Sequence, residues 1–321
     1  MPRWGLTLPL DSVALHRHRE VIEAVAELGF TDVWSAETAG SDAFGPLALF
    51  STWSSSLRFG TAVVPVQTRG PALIAMSAAT LADAAPGRFA LGIGASSPAI
   101  VESWNGIPFE QPYQRVRDTL RFLRRALAGE KIDEKFETFT VRGFRLARVP
   151  EVTPPILLAA LRPGMLRLAG QEADGVILNW LAATDVPTAL AEVGADTEVA
   201  ARIFVCPTTD RGYVGALGRR LISSYLTVPA YRAQHEWLGR GDALGPMWDA
   251  WSAGERAAAN AAIPDEVVDA LIVHGTPDEC RAHLRAYADA GVTTPIAALL
   301  PTPDMTTPEG LLAAVRAVSP A

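Results

Sequence analysis

The chain is poor in the residues that build metal sites and disulfide frameworks. Its 321 residues include only two cysteines, Cys206 and Cys280, which are far apart and form no CxxC pair. None of the five histidines has the spacing of a metal-binding motif such as HExxH. The sequence therefore predicts no disulfide framework and no metal site. A chain of this length buries about 75% of the surface that it exposes when unfolded, so it can fold without a disulfide or a metal ion.

Lysine is almost absent, and no run of basic residues occurs. Lys131 and Lys135 are the only lysines, and 28 basic against 35 acidic residues give a formal net charge of −7. This balance argues against nucleic acid and anionic membrane surfaces as partners. No stretch approaches the roughly 18 apolar residues of a membrane span, and the start lacks the pattern of a secretory signal peptide. We therefore expect a cytoplasmic protein whose partner is a small molecule.

The motifs of common hydrolases and nucleotide-binding proteins are also missing. The sequence contains neither the GxSxG nucleophile elbow nor a Walker phosphate-binding loop. Apolar residues make up 49% of the chain and charged residues 20%, which is typical of a globular protein. We infer that a bound cofactor carries the difficult chemistry.

Short apolar runs alternate with longer segments of helical period, the pattern of β/α units around a parallel sheet. The eight predicted strands are residues 3–9, 32–36, 58–64, 88–93, 156–160, 174–179, 201–206 and 294–299. Eight units predict an α/β fold, a (β/α)8 TIM barrel that forms a single domain over residues 1–321. A doubly wound open sheet is the alternative, because periodicity does not show whether a sheet closes.

Two helices carry clear start signals. Pro71 stands at the first position of an alanine-rich helix predicted over 71–84. Thr276 and Glu279 form a capping box with Pro277 between them, which predicts a helix to about Ala290.

Residues beyond the usual length of a TIM barrel, about 250, lie in two predicted insertions. The first, at about 130–154, alternates charged and aromatic residues as an exposed hairpin does. The second, at about 207–262, is long enough for two or three helices. Its large aromatic residues either cover the mouth of the barrel or pack the insertion onto it; they are Tyr213, Tyr225, Tyr231, Trp237, Trp248 and Trp251.

The end of the fourth strand is the first candidate site, because a TIM barrel carries its chemistry at the carboxyl ends of its strands. Gly94, Ala95, Ser96 and Ser97 follow that strand and precede a helix. Such a turn offers backbone N–H groups and the positive end of a helix dipole to a phosphate. The alternative is an ordinary tight turn in which Ser97 caps the helix.

Three other strand ends are polar or irregular. Glu37 and Thr38 follow strand two, where they can bind a heterocycle or assist proton transfer, or where Glu37 simply forms an ion pair at the rim. Pro65 interrupts strand three, which therefore bulges or ends. Asn179 and Trp180 end strand six, where a flat ligand can stack or where the tryptophan belongs to the core.

Several runs of the sequence resemble one known family. They are GTAVVP at 60–65, TRGPA at 68–72, AMSAATL at 75–81, PGRF at 86–89, LGIGAS at 91–96 and VESWNGIPF at 101–109. Together they resemble the bacterial luciferase-like monooxygenase superfamily, and within it the branch of oxidoreductases that depend on the deazaflavin coenzyme F420. The resemblance covers about residues 5–180, weakens across 185–265 and returns at 275–278.

The resemblance implies a TIM barrel with F420 lying across the carboxyl ends of the strands. In the family a bulge with a non-prolyl cis peptide bond in strand three backs the flavin ring, and the matching bond joins Ala62 and Val63. The phosphate side then lies near the turn 94–97, and the acidic residue after strand two lies near the ring. The predicted cofactor-binding residues are Glu37, Ala62, Val63, Gly94, Ala95, Ser96, Ser97, Ala160, Leu161 and Asn179, of which Asn179 is added for its place at the end of strand six.

The chain departs from the family pattern at two positions. Thr38 stands where several relatives have a histidine, and Asn105 where close relatives often have one. Proton transfer then falls to Thr38, to a bound water or to the substrate itself, and Glu37 and Thr38 are the predicted catalytic residues. The resemblance implies hydride transfer between F420 and a small organic substrate, in a protein whose relatives are frequently dimers. An FMN-dependent monooxygenase and a non-catalytic flavin-binding barrel are the alternatives.

Overall fold

The computed structural model describes residues 2–194 and 197–320, and its main feature is a closed parallel barrel. Its strands are β1 (Gly5–Thr7), β2 (Asp32–Ser35), β3 (Arg58–Thr61), β4 (Val64–Pro65), β5 (Phe89–Gly94), β6 (Ile132–Lys135), β7 (Thr140–Phe144), β8 (Ile156–Ala159), β9 (Gly175–Asn179), β10 (Glu198–Cys206), β11 (Ile272–His274) and β12 (Thr294–Leu299). Eight of them pair in the order β1, β2, β3, β5, β8, β9, β10, β12, and β12 pairs with β1. The predicted TIM barrel is confirmed, and the open sheet is excluded.

Helices surround the barrel. They are α1 (Arg19–Glu27), α2 (Phe44–Trp53), α3 (Pro71–Ala84), α4 (Pro112–Leu127), α5 (Pro163–Glu172), α6 (Val186–Val193), α7 (Arg211–Leu226), α8 (Pro229–Trp237), α9 (Gly241–Ser252), α10 (Arg256–Ala261), α11 (Asp265–Leu271), α12 (Pro277–Asp289) and α13 (Pro308–Ala317). The predicted helix over 71–84 is confirmed. The capping box of α12 is also confirmed, because the Thr276 and Glu279 side chains each accept a hydrogen bond from the other residue's N–H. No helix among the described residues is long and apolar enough to cross a membrane.

The interior of the barrel is filled around one indole ring. Trp34 is fully buried, and a β-carbon on Gly5 or Gly60 would lie 2.9 or 2.3 Å from its ring. Glycine at both positions therefore makes room for the indole. The interior cluster consists of Trp34, Ala62, Ala90, Leu157, Ile177, Ala200 and Ile296, with Val63 packed against it.

Charged residues occupy the amino-terminal end of the barrel. Arg3 donates to the fully buried Asp32 at 2.9 Å, and Arg58 donates to both carboxylate oxygens of Glu198 at 2.8 and 2.9 Å. Burial raises the pKa of Asp32, although Arg3 and Arg58 both stabilise its charged form. Because this end of a TIM barrel serves stability, we assign this cluster a structural role.

Both predicted insertions are present. Segment 130–154 contains the antiparallel hairpin β6–β7, whose residues are mostly exposed. Segment 207–262 contains the four helices α7 to α10, so the prediction of two or three helices was wrong. Gly239 and Gly254 adopt positive φ values of 81° and 83° after α8 and α9, which ends each helix early.

Strand β11 was not predicted from the sequence. It pairs with residues 204–206 of β10. Strand β9 pairs with the same edge of β10, but with residues 198–202. Three residues are too few to show a strand pattern by themselves, and only the pairing with β10 identifies them.

Candidate functional site

The turn 94–97 follows β5 at the carboxyl end of the barrel. Within the described part of the chain, the N–H groups of Ala95, Ser96 and Ser97 donate to no protein acceptor. Ser96 has a φ of 68°, and its buried hydroxyl has no hydrogen-bond partner in the protein. An unpaired buried hydroxyl is unfavourable, and with three free N–H groups beside it the turn indicates a site for an anionic or strongly accepting ligand.

Ser97 has a different environment from Ser96. Its hydroxyl lies 3.5 Å from the N–H of Ile100, in the helical turn that follows. The segment that follows, Ala99–Trp104, is π-helical, and Pro98 occupies its N-cap position. Ser97 therefore bonds to the first turn of this segment without being its N-cap residue, and the donors free to meet an anion are the N–H groups of the turn 94–97.

The third predicted strand, residues 58–64, is interrupted and forms the two short strands β3 and β4. The peptide bond between Ala62 and Val63, which lies between them, is cis, as the family resemblance implies. Two glycines of β5 face this interruption. A β-carbon on Gly92 would lie 1.9 Å from the Thr61 carbonyl oxygen, and one on Gly94 would lie 2.9 Å from Val63. Glycine is therefore required where β5 passes the interruption.

Glu37 forms an ion pair at the rim of the barrel. Arg69 donates to its carboxylate through Nε at 3.0 Å and Nη2 at 2.7 Å, and the N–H of Ala43 donates at 3.0 Å. Both oxygens of Glu37 thus have partners, which agrees with the ion pair at the rim that the sequence analysis gave as the alternative. Thr38, the next residue, is exposed.

Ala160 and Leu161 follow β8 with different orientations. Ala160 is buried in the core between the sheet and the helices, so only its backbone borders the mouth of the barrel. Leu161 is half-buried. A cavity of about 420 Å³ lies at the same end, between the loops that follow β1 and β2, and Asp11, Gly40 and Ser41 are among its lining residues.

Asn179, at the end of β9, is held by α8. Its Nδ2 donates to the Tyr231 hydroxyl at 3.1 Å, its carbonyl accepts from Gln234 at 3.1 Å, and its Oδ1 is buried without a partner. Burial raises the pKa of Tyr231 to about 12, so this hydroxyl stays neutral. Trp180 belongs to the core, because it is buried and packs on Phe204.

Arg202, on β10, is the residue that sequence analysis missed. Its Nε is buried without a hydrogen-bond partner, and so is the Thr7 hydroxyl at the end of β1. An arginine inside an apolar strand is the signal that could have identified it, because Lys and Arg are rarely buried unpaired. Among the described residues, no group of three or more His, Cys, Asp or Glu side chains could hold a metal ion.

The family of the chain follows from comparison with known proteins. A family model described as luciferase-like monooxygenase matches residues 5–294. The chain belongs to the luciferase-like monooxygenase family. The membership predicted from the sequence is confirmed, and the site described above lies within the matched residues.

This chain has named oxidoreductases among its curated relatives. It is 29% identical to a Mycobacterium tuberculosis protein named as a coenzyme F420-dependent oxidoreductase, over 90% of this chain and 91% of that one. It is 27% identical to the 5,10-methylenetetrahydromethanopterin reductase of Methanolobus tindarius, again over 90% and 91%.

Solved structures share the fold. The F420-dependent tetrahydromethanopterin reductase of Methanopyrus kandleri superimposes with a TM-score of 0.79 at 20% identity, covering 99% of this chain and 97% of that one. An F420-dependent secondary alcohol dehydrogenase superimposes with a TM-score of 0.74 at 15% identity, covering 99% of both chains.

Proposed function

We propose that this luciferase-like monooxygenase family member is an oxidoreductase that transfers a hydride between coenzyme F420 and a small organic substrate. The observation that carries the proposal is the turn 94–97, with three free N–H groups and the unpaired Ser96 hydroxyl. The name of one curated relative, a coenzyme F420-dependent oxidoreductase that is 29% identical, favours F420 over FMN.

The residues at the carboxyl end of the barrel fit a flat cofactor with an anionic side chain. Turn 94–97 supplies donors for the phosphate, and Gly92 and Gly94 let β5 pass close to the interruption at Ala62 and Val63. Bound F420 would supply the carbon that accepts or donates the hydride. Ala62, Val63, Leu161 and the backbone of Ala160 would border the ring and exclude water from it.

Glu37 and Thr38 have separate roles in this proposal. The ion pair with Arg69 fixes the Glu37 carboxylate, so Glu37 holds the loop after β2 in place beside the ring. The exposed Thr38 hydroxyl follows directly and can exchange protons with water, which makes it the protein group that serves proton transfer. Asn179 presents a free acceptor, Oδ1, on the other side of the mouth.

The choice of cofactor is tested by binding. We expect the purified apoprotein to bind F420 at least about tenfold more tightly than FMN, in titrations followed by the fluorescence of each cofactor. Equal affinities, or tighter binding of FMN, would contradict the proposal and favour the FMN-dependent monooxygenase. The non-catalytic flavin-binding barrel would be favoured by a different result. The protein would bind F420, but no alcohol would reduce the bound F420 and no unsaturated compound would oxidise reduced F420.

A further inference from the structure

Arg202 lies inside the barrel near its mouth. The strand register places it two residues after the interior residue Ala200, and pairs it with Asn179 of β9 and Ile296 of β12. Side chains alternate along a strand, so Arg202 faces the barrel interior as Ala200 does. Its guanidinium therefore lies beside the Asn179 amide.

This guanidinium has no carboxylate partner among residues 2–194 and 197–320. Its neighbours are the Phe204 ring, 4.7 Å from Cζ, the Tyr225 hydroxyl, which accepts a hydrogen bond from it, and the Tyr231 hydroxyl. Burial lowers the pKa of Arg202, although arginine keeps its charge in proteins.

Other poorly exposed arginines have protein acceptors for their guanidinium groups. Arg58, Arg69 and Arg240 pair with the carboxylates of Glu198, Glu37 and Asp185. Arg88 and Arg115 have no carboxylate partner among the residues that the structure describes, and each donates to a backbone carbonyl instead. A buried charge without a counter-ion is costly, and such a cost is tolerated mainly where a ligand supplies the missing charge. The contrast indicates that the partner of Arg202 comes from outside the chain.

We propose that Arg202 binds the carboxylate, or another negative group, of an organic substrate at the mouth of the barrel. The planar guanidinium matches such a group with two parallel hydrogen bonds. The adjacent Asn179 Oδ1 accepts a hydroxyl or N–H group of the same molecule. The substrate class is therefore an organic anion with a hydrogen-bond donor near its charge.

The position around the barrel places this group on the substrate side, and this step rests on the proposed function. Strand β10 lies opposite β3, because β5, β8 and β9 separate them on one side and β2, β1 and β12 on the other. A ring packed on Ala62 and Val63 after β3 would present its free face toward Arg202.

Benzoate and benzamide test the charge requirement, because they have the same shape and differ in charge. In calorimetric titrations of wild-type apoprotein, we expect benzoate to bind at least about tenfold more tightly than benzamide. Equal affinities, or no heat from benzoate, would overturn the proposal without involving F420.

Substitution tests the residue itself. Arg202→Met should weaken benzoate binding by at least about tenfold, whereas Arg220→Met, at an exposed position on α7, should leave it unchanged. The melting temperature of Arg202→Met should equal or exceed that of the wild type, because an unpaired buried charge is removed. If Arg202→Met does not fold, Arg202→Lys is used in its place, and its benzoate affinity should be several-fold lower than that of the wild type. Unchanged benzoate affinity in the folded variant would overturn the proposal.

Two further measurements separate the substrate site from the cofactor site. With F420 at saturation, benzoate should still bind within about twofold of its affinity for the apoprotein, and Arg202→Met should keep its F420 affinity within about threefold. Competition between benzoate and F420, or a loss of F420 affinity above tenfold in Arg202→Met, would assign Arg202 to the cofactor and overturn the proposal. If wild-type protein does not bind F420, the proposed function fails, while the benzoate comparison still decides the anion site.

Discussion

Two adjacent serines show how a difference of one residue separates ligand binding from folding. Ser96 has a buried hydroxyl without a protein partner, whereas the Ser97 hydroxyl accepts a hydrogen bond from the Ile100 N–H at 3.5 Å. A hydrogen bond to a charged ligand group contributes about 1.5–3 kcal/mol, and a helix cap about 1 kcal/mol. The two side chains should therefore affect different measurements.

The pair of alanine variants tests this separation. Ser96→Ala should weaken F420 binding by about tenfold to a hundredfold and leave the melting temperature nearly unchanged. Ser97→Ala, its matched control, should cost about 1 kcal/mol of unfolding free energy or less and keep the affinity. Fluorescence titration and thermal denaturation of both variants provide the comparison. Unchanged F420 affinity in Ser96→Ala would mean that the phosphate lies elsewhere.

Sequence analysis located the turn 94–97 but not Arg202, and the reason is physical. Glycine and serine after an apolar run are local signals, because they mark a backbone that must turn at the end of a strand. The importance of Arg202 depends on its neighbours across β9 and β12, which the chain brings together only after folding. Its missing counter-ion cannot be seen in a linear sequence.

At the scale of elements, one ion pair joins the end of β2 to the loop before α3. Arg69 donates to Glu37 with two nitrogens, lies 3.6 Å from Asp42 and packs over the Phe44 ring at 5.2 Å. The side chains of Glu37 and Arg69 are only 16% and 20% exposed, so solvent screens the pair less than an ordinary surface pair.

A double-mutant cycle measures this connection. We expect Glu37→Gln and Arg69→Met, singly and together, to give a coupling free energy of about 1–2 kcal/mol in urea denaturation, because the pair is partly buried and has two hydrogen bonds. The exposed pair of Arg19 and Glu23 on α1 is the control, and its coupling should stay below about 0.5 kcal/mol. Similar coupling in both pairs would show that Glu37 is free to serve another role.

The strands were predictable where they are continuously apolar, and less so where a neighbour defines them. Strand β12 was predicted with its observed limits, because both faces of TPIAAL are buried. The limits of β1 were too wide, since only Gly5–Thr7 form the strand: Gly5 and Leu6 pair with both neighbouring strands, and Thr7 pairs with β2 alone. Closure of the barrel was supported by the number of units, and the pairing of β12 with β1 established it.

At the scale of the whole molecule, the helices of segment 207–262 form a second core against the barrel. The Trp180, Phe204 and Ala298 side chains of the barrel belong to this cluster, together with Leu226 and Trp248 from the helices. His235, on α8, is fully buried at this junction. Aromatic residues in the insertion therefore do both things that the sequence left open: Tyr231 reaches the mouth of the barrel, and Trp248 packs the helices.

Acid should weaken this molecule partly through His235. Burial, together with the nearby charge of Arg240, lowers the pKa of His235 to about 3. Below the ordinary histidine value of about 6.5, the unfolded chain binds a proton that the folded protein cannot bind until pH approaches 3. The stability that His235 contributes is therefore present at neutral pH and is lost as the pH falls through this window.

Between pH 7 and pH 5, this imbalance corresponds to about 2 kcal/mol of unfolding free energy. In His235→Gln the glutamine side chain does not titrate. The unfolding free energy of this variant, measured by urea denaturation at both pH values, should therefore fall by about 2 kcal/mol less than that of the wild type between pH 7 and pH 5. The exposed His16→Gln is the matched control and should follow the wild type. His18 and His283, whose pKa burial also lowers, keep part of the acid sensitivity in every variant. Equal losses in His235→Gln and the wild type would show that water reaches this histidine at the junction between helices and barrel.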